Sequence, residues 1–244
     1  MSFHHSPRIV TNGLGLYLDA SNPKSYPGTG DAWYDLSGNN FHMSLKASAE
    51  STFTSASNDS FLKYFDLNGS THYGACDGTV ANSVSCDTGS FVSGSEPRTV
   101  VAVFQIDEGN GNTSQGIFDY GTSGVIGQHY CLRLNASYTA FRAQFWGTPD
   151  YDFNLDTRNN FSMVSVTYGT DEIGRTYVNA GELLGEDGFS FTLVTGGNRP
   201  FEMGRYQGSN NSGAKISAYM FYTKALTPEE CAQNYYALRS RWGG

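Results

Sequence analysis

The chain has 244 residues, enough to bury a sizeable core as one large β-sandwich or as two smaller domains. Charged residues are 16% of it, well under the roughly 25% of an average globular protein, while 29 glycines and 14% aromatics suit strands and tight turns, which disfavours an all-α protein. Fifteen Lys plus Arg against 23 Asp plus Glu give a net charge of −8, so no electrostatic footprint for nucleic acid or for an anionic membrane surface is expected.

No stretch approaches the roughly 20 apolar residues of a membrane span, and Met1 to Val10 lacks the basic-then-apolar order of a secretory signal. The expectation is therefore a soluble product, with residues 1–12 as an N-terminal arm and 13–244 as a single domain. Cys76, Cys86, Cys131 and Cys231 match no metal-binding spacing; Cys76 and Cys86 could close a small loop, but reduced thiols are the expected state. The triplets Asn68-Gly69-Ser70 and Asn135-Ala136-Ser137 are read as chance occurrences of the glycosylation pattern.

Leu14 to Leu18 reads as a short apolar strand ended by Asp19-Ala20-Ser21-Asn22-Pro23, and 23–40 as a long loop whose Trp33 and Tyr34 fold onto a core. Leu62 to Leu67 runs into Asn68-Gly69, both tolerant of positive φ, and the pattern predicts a hairpin returning through Thr71 to Gly74. Residues 77–97 are small and polar and read as loop. Thr99 to Ile106, TVVAVFQI, is a nearly continuous apolar run and the expected centre of a sandwich. Further strands are expected near 116–120, 129–135, 139–146, 161–168, 174–178, 189–194, 200–204 and 214–222.

In Val164-Ser165-Val166-Thr167-Tyr168 apolar side chains alternate with hydroxyls, which sends one face to the core and the other to solvent or a cleft. The one convincing helix is C-terminal, about 227–242. Thr227 is its expected N-cap, Pro228 its first residue and Glu230 the partner in a capping box, with Cys231, Tyr235 and Leu238 on the docking face.

The segments Gly-Leu-Gly-Leu-Tyr-Leu-Asp-Ala at 13–20, Trp-Tyr-Asp-Leu-Ser-Gly-Asn at 33–39, Tyr-Phe-Asp-Leu-Asn-Gly-Ser at 64–70 and Arg-Thr-Tyr-Val-Asn-Ala-Gly-Glu-Leu at 175–183 resemble, in this order, the laminin G-like branch of the concanavalin A-like jelly rolls. So do Glu-Met-Gly-Arg at 202–205 and the run from Tyr222 to Glu230. The resemblance implies an all-β sandwich of two antiparallel sheets with a short C-terminal helix. The chain departs from the pattern at Asn179-Ala180-Gly181, a longer turn, and at Lys215-Ile216-Ser217-Ala218, where an acidic residue is usual. Within the family, the opening Pro-Arg-Ile-Val-Thr-Asn-Gly-Leu and the absence of a signal peptide are similar to virion proteins of tailed bacteriophages and large DNA viruses. That implies a protein made in the host cytoplasm and located in the virion, whose partners are copies of itself or other capsid or tail proteins.

Jelly-roll glucanases, the enzymatic branch, need two carboxylates at alternate positions of one strand. Asp107-Glu108 and Asp171-Glu172 are adjacent pairs beside glycines, so they are read as solvated turns and the chain as a non-enzyme. His4, His5, His42, His72 and His129 show no metal-ligand spacing, and no cofactor is expected. Calcium is common among relatives, and Asp35, Ser37 and Asn39 alternate like the opening of a calcium loop; no acidic residue closes it, so hydrogen-bonded Asx turns are expected instead.

In Phe141-Arg142-Ala143-Gln144-Phe145-Trp146, alternation puts Arg142, Gln144 and Trp146 on the face away from the core. A Trp beside amide and guanidinium groups can stack a sugar ring, and equally can bury itself in an assembly interface. The interface is placed first because Tyr219 and Phe221, with Ser217, give another strand face an aromatic character. The expected function is a capsid decoration or tail-associated protein, with a glycan-binding adhesin as the alternative and a glucanase-like enzyme third.

Overall fold

The computed structural model describes residues 7–46, 53–55, 62–86, 91–106, 114–135, 140–147, 150–158, 160–189, 192–195 and 199–242. In chain order the strands are β1 Leu14–Asp19, β2 Ala32–Trp33, β3 Met43–Lys46, β4 Phe53–Ser55, β5 Lys63–Asp66, β6 Tyr73–Ala75, β7 Arg98–Ile106, β8 Gly116–Gly121 and β9 His129–Leu134. They continue as β10 Phe141–Gln144, β11 Tyr151–Phe153, β12 Ser162–Tyr168, β13 Ile173–Val178, β14 Glu182–Gly188, β15 Glu202–Met203, β16 Arg205–Tyr206, β17 Asn210–Asn211 and β18 Ala214–Tyr222. Helix α1, Pro228–Leu238, and a 3₁₀ turn, Arg239–Arg241, follow.

Sheet A runs β14-β13-β12-β7-β18-β5-β4 with β1 also on β18, and sheet B runs β11-β10-β9-β8-β15-β6-β3-β2; β16 and β17 form a separate ribbon. The pairings are antiparallel, and the fold is a concanavalin A-like jelly-roll sandwich with a short C-terminal helix.

The central run of the sequence lies where its composition demands. Val100, Ala102 and Phe104 of β7 meet Phe118, Tyr130, Leu132 and Phe141 of sheet B in the core between the sheets. The intervening Val101 and Val103 join Met220, Tyr222, Cys231 and Leu238 in a second core under α1. A strand buried on both faces carries no alternation, which explains the continuous apolar run. Ser165 and Thr167 are buried rather than open to solvent or a cleft as expected. The N-terminus of α1 is capped as the sequence predicts: Glu230 N–H donates to Thr227 Oγ1 (3.3 Å), and Thr227 N–H to Glu230 Oε2 (3.1 Å). Residues 7–12 lie along the helix, with Val10 N–H donating to the buried Asn234 Oδ1 (2.8 Å). No described helix is long and apolar enough to cross a membrane.

Three further expectations are corrected. Asn68-Gly69 does not close a hairpin: β5 pairs within sheet A and β6 within sheet B. Asn68 Oδ1 accepts the N–H groups of Ser70, Thr71 and His72 (3.0, 2.9 and 3.1 Å), so the side chain holds a turn that carries the chain between sheets.

The strand expected near 189–194 is displaced. Residues 190–191 lie outside the described residues, 192–194 belong to no strand, and the ladder next to β13 is made by β14, whose Glu-Leu-Leu-Gly-Glu-Asp-Gly has no period-two pattern.

Finally, Tyr219 and Phe221 are not a contact surface. The β18 register shifts between Ile216 and Ala218, so Ser217 sits at a bulge and the alternation changes face there. Tyr219 and Phe221 are buried in the main core, and Tyr219 Oη donates to the Ile117 carbonyl (2.5 Å).

Candidate functional site

The outer face of sheet B, away from the core, gathers the polar and aromatic groups. Tyr130, Leu132 and Leu134 of β9 and Phe141 and Ala143 of β10 point inward, so His129, Cys131, Arg133, Arg142 and Gln144 point outward. Register places Gln144 opposite Cys131 and Arg142 opposite Arg133, and β11 brings Asp152 opposite Arg142.

Arg142 donates from Nε to Asp152 Oδ1 (2.5 Å) and from Nη2 to Oδ2 (3.2 Å), a two-point clamp. The hydrogen bond from Arg142 holds the Asp152 carboxyl below the usual carboxylate range. Gln144 is mostly covered, its Oε1 accepting from Arg133 Nε (2.6 Å), and the Arg133 guanidinium sits 5.0 Å from the Tyr206 ring centre. Burial pushes the Asp150 carboxyl up, while its Oδ1 accepts the Phe145 N–H (2.8 Å).

Trp146 stands two residues past the end of β10, half-buried, with φ at 59°. That is the left-handed region, unusual for a bulky side chain. Its ring meets the His129 ring edge-on at 5.8 Å, and its carbonyl accepts the Gly127 N–H (3.0 Å) from a loop bearing the exposed Val125 and Ile126. The outer face of β10 forms a ledge on which Arg142 and Gln144 lie, with Trp146 at its end against His129 of β9. Arg142 and Gln144 arrive there by the pleat, and Trp146 by a turn of the backbone.

The β16–β17 ribbon roofs the middle of this face. Tyr206 lies 5.9 Å from the His129 ring, and Gln207 N–H donates to Asp119 Oδ2 (2.8 Å). Beneath it Asp119 of β8 lies opposite Cys131, two residues from His129, and His129 Nε2 is 3.0 Å from Asp119 Oδ2. All three are fully buried, and burial pushes the Cys131 thiol well up. Sequence spacing alone passes over this group. His129-x-Cys131 is the only local signal, and Asp119 joins it through strand pairing.

The other candidates lie elsewhere. Asp35 Oδ1 accepts the N–H groups of Tyr17 (2.9 Å) and Ser37 (2.8 Å), and Oδ2 accepts the Ser37 hydroxyl (2.7 Å) and the Phe41 N–H (3.2 Å). Asn39 Nδ2 donates to the Gly15 carbonyl (3.0 Å). The Asx geometry thereby ties the 33–40 loop to β1, and both carboxylate oxygens accept hydrogen bonds. Asp171 and Glu172 occupy the turn from β12 to β13, Asp171 paired with Arg175 Nη2 (2.7 Å) and Glu172 Oε1 accepting from Thr192 (2.7 Å). Asp107-Glu108, His4, His5 and most of the Asn135 triplet lie outside the described residues. Cys76 and Cys86 lie side by side in the core, Cys86 N–H donating to the Cys76 carbonyl (2.7 Å).

Two antiparallel sheets packed face to face with a short C-terminal helix define a lectin-like β-sandwich fold. Solved structures similar to the chain include Trypanosoma rangeli sialidase, at 17% identity and a TM-score of 0.61 over 95% of this chain, and a mutant of that sialidase displaying trans-sialidase activity, at 17% and 0.62. They also include the binding domain of botulinum neurotoxin DC in complex with SialylT, at 13% identity and a TM-score of 0.63 over 93% of this chain, and the binding domain of paraclostridial mosquitocidal protein 1, at 14% and 0.63. The chain spans 34% of the sialidase and 52% of the toxin domains, and the likeness is one of fold. No protein-family model matches the chain, and no curated protein matches it in sequence. The non-enzyme expectation is corrected by this comparison. Enzymes share the fold over nearly the whole chain, so neither the jelly roll nor the absence of a glucanase carboxylate pair sets the chain apart from enzymes.

Proposed function

We propose that the chain is a carbohydrate-binding module of the laminin G-like kind, receiving a glycan on the outer face of sheet B. The observation that carries this reading is Trp146, a half-buried indole held in a left-handed backbone conformation just past the end of the strand that bears the Arg142–Asp152 clamp. Unfavourable backbone conformations persist where the surrounding structure enforces them, and they cluster at ligand sites. The indole face supplies a stacking platform for a pyranose, and the clamp supplies donors and acceptors for hydroxyl or carboxylate groups.

Two of the similar structures are toxin binding domains, one of them solved with SialylT, which favours a sialylated glycan as the first ligand to test. Binding domains among the similar structures favour the adhesin reading over capsid decoration.

The test is calorimetric titration of the full chain with matched sialylated and asialo oligosaccharides. Binding of at least one, weakened by about 2 kcal/mol in Trp146→Ala with the fold intact, is the expected result. If no oligosaccharide binds and Trp146→Ala instead dissociates a self-assembled form, the ledge is an assembly interface and the glycan reading fails.

A further inference from the structure

We propose that Asp119, His129 and Cys131 form a binding site for a divalent transition-metal ion, zinc foremost, under the roof of the β16–β17 ribbon. One donor atom from each residue, carboxylate oxygen, imidazole nitrogen and thiol sulfur, lies within 4.8 Å of the other two. A tetrahedral zinc ion with bonds near 2.0–2.3 Å sets its ligand atoms about 3.3–3.6 Å apart, so side-chain adjustments of an ångström or so close the site. The strands already supply the framework. His129 and Cys131 are alternate residues on the same face of β9, and Asp119 is the registered partner of Cys131 on β8.

The second observation is the state of the polar atoms. Asp119 Oδ1 and His129 Nδ1 are buried and have no hydrogen-bond partner. Buried polar atoms are normally satisfied, and an orphaned pair on two adjoining side chains invites a bound ion. The donor set selects the class of ion. A thiol and an imidazole suit zinc, cobalt or nickel, whereas calcium and magnesium require oxygen ligands throughout. On binding, the Cys131 sulfur–hydrogen bond breaks, its proton passes to the buffer and a sulfur–metal bond forms. The neutral imidazole and the carboxylate coordinate as they stand. One dipositive ion with one thiolate and one carboxylate is electrically neutral, which suits a site with no solvent exposure.

The Gln207 N–H bond to Asp119 and the packing of Tyr206 and Trp146 against His129 support the ligands from outside, as outer partners do in metal centres. This inference does not depend on a glycan being bound, since its three ligands sit on β8 and β9.

The test is spectroscopic and needs no glycan. The metal-depleted full chain is titrated with cobalt(II), and a thiolate-to-cobalt charge-transfer band saturating at one equivalent and bleached by zinc is expected. Cys131→Ser abolishes the band, Asp119→Asn weakens cobalt binding by more than about tenfold, and Cys231→Ser, a buried cysteine in the helix, leaves the band unchanged. Because Cys131→Ser could fail to fold, the wild-type chain alone is also decisive: no thiolate band at stoichiometric cobalt overturns the site, as does an unchanged band in a folded Cys131→Ser protein.

Discussion

Holding an L-residue in the left-handed region costs roughly 1–2 kcal/mol that glycine does not incur, and Trp146 at φ 59° bears that cost. Trp146→Gly and Trp146→Ala both remove the indole, but only the glycine variant relieves the backbone. Trp146→Gly is therefore expected to unfold at a higher denaturant concentration than Trp146→Ala, by about 1 kcal/mol, and the reverse order would show that the site is unstrained. Asp152 makes a second case. Its carboxyl is held low by the hydrogen bond from Arg142, so its contribution is present above the unfolded value near 4 and is lost as pH falls through the still lower folded value. The Arg142 Nε–H resonance should accordingly stay constant from about pH 5 upward and move only on acidification below about pH 4; movement near neutrality would mean that Asp152 is not its partner. At this scale Arg142 and Gln144 were legible from alternation alone, because a regular pleat projects every second side chain to one side. Tyr219 and Phe221 were not. The bulge at Ser217 inverts the phase of β18, and nothing in the run Lys215-Ile216-Ser217-Ala218 announces it.

The helix and the roof are the two elements whose failure would be most informative. Thr227 caps α1 in a reciprocal box, so Thr227→Ala should cost on the order of 1 kcal/mol, and equal denaturation midpoints would remove the cap from the account. The roof depends on Gly116. A Cβ there would collide with the Arg205 backbone carbonyl, and backbone cannot swing aside as a side chain can. Gly116→Ala should lift the β16–β17 ribbon and speed hydrogen exchange at the Gln207 N–H, at a cost of roughly 1–3 kcal/mol; unchanged exchange would mean that the ribbon is not seated on β8. Elements with a strong local signature, β7 and α1, could be read from sequence, whereas the exposed edge strand β14 and the sheet-to-sheet passage after Asn68 could not. Edge strands need bury little, and a turn residue dictates a reversal without saying which strand lies beyond it. The Asp119, His129 and Cys131 group was hidden for a related reason, since it exists only once β8 and β9 are in register.

For the molecule as a whole, α1 replaces a third layer: it covers Val101, Val103, Met163 and Met220 on the outer side of sheet A. A chain ending at Leu226 would bare that surface, and it should aggregate or lose cooperative unfolding, whereas a soluble truncated chain with a sharp transition would show the helix to be dispensable. The same layer draws the described ends of the polypeptide to one side. Arg8 and Val10 bond to Gln233 and Asn234 of α1, and Arg241 pairs with Asp19 on the outer side of β1. The ledge of Arg142 and Trp146 lies on the far side of the sandwich, on sheet B. Held through the α1 side, where residues 8, 10 and 241 are fastened, the molecule would present the outer face of sheet B to the medium.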